Sequence, residues 1–94
     1  MAAAEPKLIH IDVGTPQSYA ALEAAIQTAI GRTYGMGWYG LVECLNEYPT
    51  PVTINIVGLE ELRARSIYRA RLLEIAFREV AEQRSGEGFV LNVD

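Results

Sequence analysis

The segment Gly35-Met36-Gly37-Trp38-Tyr39-Gly40 carries the spacing G-x-G-x-x-G. That spacing can cradle a pyrophosphate when the glycines leave a strand and open a helix, with an acidic residue about twenty positions on for the ribose. Here a helical pattern precedes the glycines, and Asn55 stands where the acid would be. The glycines therefore read as the means by which a bulky aromatic loop bends tightly. His10 is the only histidine and Cys44 the only cysteine. No serine or second cysteine is placed to form a nucleophilic pair with His10, and no cluster has metal-ligand spacing. Cys44 falls on the apolar side of its segment, as a buried, unreactive thiol would. No catalytic residue, cofactor or metal is expected.

A different chemistry is available to the middle of the chain. Between Arg32 and Arg63 there is no Lys or Arg, whereas Glu43, Glu47, Glu60 and Glu61 all fall there, beside Tyr34, Trp38, Tyr39 and Tyr48. Carboxylates interleaved with large aromatics suit the docking of a basic protein, the rings giving rigid contact area and the acids complementarity. The same pattern also fits a solvated helix face beside core aromatics, so composition alone leaves both open. Arg63, Arg65, Arg69, Arg71 and Arg78 follow on the later segments, near Glu74, Glu79 and Glu82. They read as a helix face laced with exposed ion pairs.

Bulk properties narrow the class. Twelve Asp and Glu against eight Lys and Arg give a net charge of −4 over 94 residues, which disfavours nucleic acid as partner. Half the residues are hydrophobic, enough for one folded domain spanning 1–94, with residues 1–6 expected to be flexible. A single cysteine excludes an internal disulfide. The start lacks a cationic region followed by a long apolar stretch, and no apolar run suffices for a membrane span. A cytoplasmic protein without membrane contact is expected.

These side chains must be held by elements that the periodicity predicts. Lys7-Leu8-Ile9-His10-Ile11-Asp12 reads as a strand ending at a Gly14 turn. Thr15-Pro16 then starts a helix whose inner face holds Tyr19, Leu22 and Ile26 and which stops at Gly31. Residues 32–40 form a structured loop. A short helix from near Trp38 turns Leu41, Cys44, Leu45 and Tyr48 inward and ends before Pro49. Val52, Ile54 and Ile56 mark a second strand ending at Gly58. One or two helical turns over 59–65 precede a helix over 68–83, with Leu72, Ile75, Ala76, Glu79 and Val80 on or beside its buried stripe. A turn over 85–88 leads into Phe89-Val90-Leu91-Asn92-Val93 as the last strand. The fold class is α/β: a single three-stranded parallel sheet with about four helices in the order βααβααβ, the helices covering the sheet.

Two segments resemble the barstar family. Tyr34-Gly35 followed by Leu41-x-Glu43-Cys44-Leu45 is similar to that family's Y-G-x-N-L-D-A-L-W-D-C-L, and Leu72-Leu73-Glu74-Ile75-Ala76-Phe77-Arg78-Glu79 resembles its second signature, an aliphatic helix containing F-R-E. The predicted element order also fits that family. The resemblance implies a ribonuclease inhibitor that pushes its second helix and the preceding loop into the enzyme's active site. It implies partner contacts at Thr33, Tyr34, Gly35, Met36, Gly37, Trp38, Tyr39, Val42, Glu43 and Asn46, with Glu79 from the F-R-E segment. Glu43 matches the family's key aspartate and would present its carboxylate in place of an RNA phosphate.

The chain departs from the pattern in three places. Gly37 and Trp38-Tyr39 stand where the family has Asn then Leu-Asp, Val42 replaces its tryptophan, and Glu43 lengthens its aspartate. The expectation is a non-enzymatic protein, monomeric when free and 1:1 with a basic partner when bound, the partner being a secreted or toxin ribonuclease. Two alternatives stay open: an immunity protein of the same fold against a toxin that is not a ribonuclease, and a small nucleotide-binding protein or enzyme built on the 35–40 glycine loop.

Overall fold

Val52, Ile54 and Ile56 make one side of strand β2 (Val52–Val57) apolar, and all three are buried in the computed structural model, which describes residues 5–35 and 37–93. Strands β1 (Lys7–Asp12) and β3 (Phe89–Val93) flank β2 in parallel, in the spatial order β1-β2-β3. The register sets Ile9 against Ile54 and Ile54 against Leu91. Helices α1 (Tyr19–Ile30) and α2 (Gly37–Asn46) form the first crossover, and α3 (Leu59–Arg65) and α4 (Ile67–Gln83) the second. The order is thus the expected βααβααβ around a three-stranded parallel sheet. The expectation for residues 1–4 lies outside the described residues.

Strand order decides which face the helices cover. Crossovers between parallel strands are right-handed, so strands laid down in one direction send every helical pair to the same side. Ile9, Ile11, Val52, Ile54, Ile56 and Phe89 accordingly form the floor of the core, against Leu22, Ile26, Leu41, Leu45, Leu73 and Phe77 of the helices. The other face is bare. Leu8, His10, Val90 and Asn92 are exposed there, with Asn92 donating across the strands to Asn55 at 2.9 Å. The helices therefore cover the sheet on one face only. Among the described residues the strand order never reverses, so the sheet has no crevice of the kind that receives nucleotides in doubly wound folds.

Local chemistry fixes the helix ends. Helix α1 begins three residues later than Thr15-Pro16 predicts, because the Thr15 hydroxyl and N–H are taken by Asp12. The cap passes to Ser18, whose hydroxyl accepts from Ala21 N–H at 3.1 Å. Gly31 ends the helix in the left-handed conformation, φ 73°, as expected. The buried stripe of α4 runs through Ala70, Leu73, Ala76, Phe77 and Val80. It includes Ala76 and Val80 as predicted but leaves Leu72 half-buried and Ile75 and Glu79 exposed. Phe77, the largest fully buried side chain among the described residues, sets the helix rotation.

Candidate functional site

Leu41 and Leu45, one turn apart, bury completely and fix the rotation of α2. Trp38 and Val42 pack against the core on the same side. Tyr39, Glu43, Asn46 and Glu47 must then point outward, and all four are exposed; Tyr39 is 82% accessible. The loop entering α2 is as tight as its glycines suggest: a β-carbon on Gly40 would overlap the carbonyl of Gly35. The glycine run follows helix α1 and no strand, so it lacks the setting that pyrophosphate binding requires.

The loop and the outward face of α2 enclose an open groove of about 910 Å³. Arg32, Thr33, Tyr34, Gly35, Tyr39, Gly40, Glu43, Cys44, Asn46 and Glu47 line it. Six residues implied by the resemblance thus share one surface: Thr33, Tyr34, Gly35, Tyr39, Glu43 and Asn46. Glu47, four residues after Glu43, adds a second carboxylate, and the i,i+4 spacing was the sequence signal for it. Cys44 is half-buried, less enclosed than its apolar position predicted. Burial pushes its thiol up from the ordinary value, against the opposing pull of Arg32, so little thiolate forms near neutral pH.

Of the four aromatics in the acidic stretch, only Tyr39 is fully presented to solvent. Trp38 turns inward and meets Tyr19 edge-to-face, centroids 6.3 Å apart. The Tyr34 ring packs against the core, and its buried hydroxyl meets no hydrogen-bond partner among the described residues. Burial, with Glu23 and Tyr19 nearby, drives that hydroxyl far above its ordinary range. Tyr48 is buried and donates its hydroxyl to the carbonyl of Ile30 at 2.8 Å while accepting from Lys7 Nζ at 3.0 Å. It ties the end of α1 and the start of β1 to the end of α2.

The C-terminal end of α2 is held from below. Helices end with carbonyls that have no partner within the helix. Arg84, only 8% exposed, donates to the carbonyls of Leu45 at 2.8 Å and Tyr48 at 2.6 Å. Its Nε donates to Glu87, and the guanidinium stacks 5.3 Å over Phe89. An arginine just past a helix reads as surface charge in the sequence, and nothing local marks Arg84 as a clamp.

The remaining implied residues lie elsewhere. Glu79 is exposed on α4, accepts from Gln83 at 3.5 Å, and does not line the groove. Gly37 opens α2 with φ 59°, and Met36 lies outside the described residues. Of the later arginines, Arg78 pairs with Glu74 at 2.9 Å and Arg63 with Glu60 and Glu74, as expected. Arg65 instead holds the carbonyls of Gly14 and Pro16, and Arg69 stacks on Tyr19.

Among the described residues, no group of three or more His, Cys, Asp or Glu stands where it could hold a metal ion, and no helix is long and apolar enough to cross a membrane. Comparison with protein-family models and with curated proteins gave no match.

Proposed function

We propose that the protein is a barstar-like inhibitor, acting in the cytoplasm without catalysis, that seats the loop before α2 and the outward face of α2 in the active site of a basic microbial ribonuclease. One observation carries the reading: Tyr39, Glu43 and Asn46 are solvent-exposed on one side of a helix whose other side is locked into the core, and Glu47 is exposed in the turn that follows. A rigid helix presenting carboxylates loses little entropy on docking. Glu43 and Glu47 both line the groove, so two carboxylates face the same space. Arg and Lys groups that hold RNA phosphates would accept these carboxylates in their place.

The test is inhibition. The purified protein, titrated into small basic microbial ribonucleases, should abolish cleavage of a fluorogenic oligoribonucleotide at near-stoichiometric ratio. Glu43→Ala should weaken the complex by about 2 kcal/mol or more, roughly thirtyfold in Kd. Inhibition unaffected by Glu43→Ala would overturn the phosphate-substitute role.

A second reading is favoured by Tyr39. This exposed aromatic stands where the family places an aspartate, which suits a target with a more apolar cleft than a phosphate site. On that reading the protein is an immunity protein for a toxin that is not a ribonuclease. Failure to inhibit any ribonuclease, together with capture of a basic toxin through Tyr39, would select it.

A further inference from the structure

We propose that the free edge of β3 pairs with β3 of a second copy, in antiparallel register about a two-fold axis at Leu91. The hydrogen-bond pattern within the sheet provides the first argument. Val52 N–H donates to the carbonyl of Gly88 at 2.9 Å. The slanted parallel ladder that follows directs the N–H and C=O groups of Val90 and Asn92 toward β2. The groups of Phe89, Leu91 and Val93 then point away from the sheet, and among the described residues no backbone partner meets them. These three residues are symmetric about Leu91. An antiparallel two-fold there sets Leu91 against Leu91 and Phe89 against Val93, so every outward group finds a partner in the second copy.

Among the described residues the edge is also unguarded. Exposed edge strands are normally protected by charges, proline or a covering element. Phe89–Val93 contains neither a charge nor a proline, whereas β1, the other edge, carries Lys7 and Asp12. Val93 is 41% exposed on the helix side of β3 and Val90 47% on the bare side, so apolar surface remains on both faces of the strand.

Charge complementarity supports a second copy as the occupant. A groove beside β3 is lined by Arg78, Ala81, Glu82 and Ser85 of the α4 side and by Leu91 and Val93 of the strand. The proposed two-fold reverses α4 against its copy across this groove. It sets Arg78 of one copy toward Glu82 of the other, and the reverse, while the apolar Ala81, Leu91 and Val93 meet in the middle. No residue of this groove lines the groove on α2, so pairing through β3 leaves the inhibitory face free. The free protein is then a dimer, in contrast to the monomer expected from sequence.

Sedimentation equilibrium of the full chain over a concentration series tests the proposal. The expected result is a reversible monomer–dimer equilibrium that Val93→Pro shifts to monomer. Proline there removes an outward N–H without taking a bond from β2, and circular dichroism checks that the fold persists. Arg78→Glu should weaken dimerisation at least about tenfold, and Arg78→Glu combined with Glu82→Arg should restore it. A chain that is monomeric at every concentration, or a dimer indifferent to both Val93→Pro and the charge reversal, overturns the proposal.

Discussion

Arg84 reaches the carbonyl of Tyr48 at 2.6 Å, and through this bond the turn after α4 holds the end of the helix that presents Glu43. The same guanidinium satisfies Leu45, so two carbonyls near the end of α2 depend on one buried cation. Arg84→Met should destabilise the protein by about 2–3 kcal/mol, since hydrogen bonds to charged groups are the stronger class. Arg84→Lys should recover only part of this, because an ammonium cannot span both carbonyls and stack on Phe89. Urea unfolding of the three proteins measures the order.

Tyr34 makes the opposite case. Its hydroxyl is buried and makes no hydrogen bond among the described residues. Removing an unsatisfied buried polar group relieves a desolvation cost. Tyr34→Phe should leave stability unchanged or raise it by about 1 kcal/mol, read as an increase in the urea midpoint at constant slope.

Gly35 and Gly40 look equivalent in the sequence, and they should differ sharply on substitution. A β-carbon on Gly40 would overlap the Gly35 carbonyl, whereas one on Gly35, its chain neighbours aside, meets no atom of the described residues within 4 Å. Gly40→Ala should cost about 1–3 kcal/mol by forcing the backbone apart. Gly35→Ala should stay within about 0.5 kcal/mol. Thermal unfolding compares them directly.

Asp12 gives a pH dependence. The Thr15 hydroxyl first, then the N–H groups of Gly14 and Thr15, hold its carboxyl below the ordinary value near 3.8. A depressed carboxylate stabilises the fold above its unfolded-state value, and that contribution is lost as pH falls through the lower folded value. Stability should therefore decline on acidification below about pH 4, and Asp12→Ala should flatten that part of the profile. An unchanged acid limb in denaturant titrations would show that the turn does not depend on the ionised carboxylate.

The sheet was legible because only one of its faces is buried. Val52, Ile54 and Ile56 alternate with Thr53 and Asn55, and such alternation vanishes when both faces are covered. The turn of α2 could be read for the same reason, from Leu41 and Leu45. Reading failed where tertiary partners outrank local preference. Thr15 has the chemistry of a cap, but Asp12 claims it, and Ser18 caps α1 instead. Ile75 is apolar at a plausible spacing, yet Phe77 decides which way α4 faces. Within the candidate site, the exposed carboxylates announced themselves by spacing. Tyr48 gave an ambiguous signal, aromatic in an acidic stretch, and its buried bonds to Ile30 and Lys7 join segments far apart in sequence. Arg84 gave none, since its partners are defined only once α2 and α4 have packed.

The spatial order β1-β2-β3 repeats the order of synthesis. Each strand leaves the ribosome after the neighbour it pairs with, so the sheet can be extended one strand at a time by the growing chain. Until Phe89–Val93 emerges, the central strand β2 has a raw edge, and the Arg84 clamp that steadies α2 has no Phe89 ring beneath it. A translation product stopped after α4 would hold every outward-facing residue of the candidate groove and still lack the strand that completes their platform.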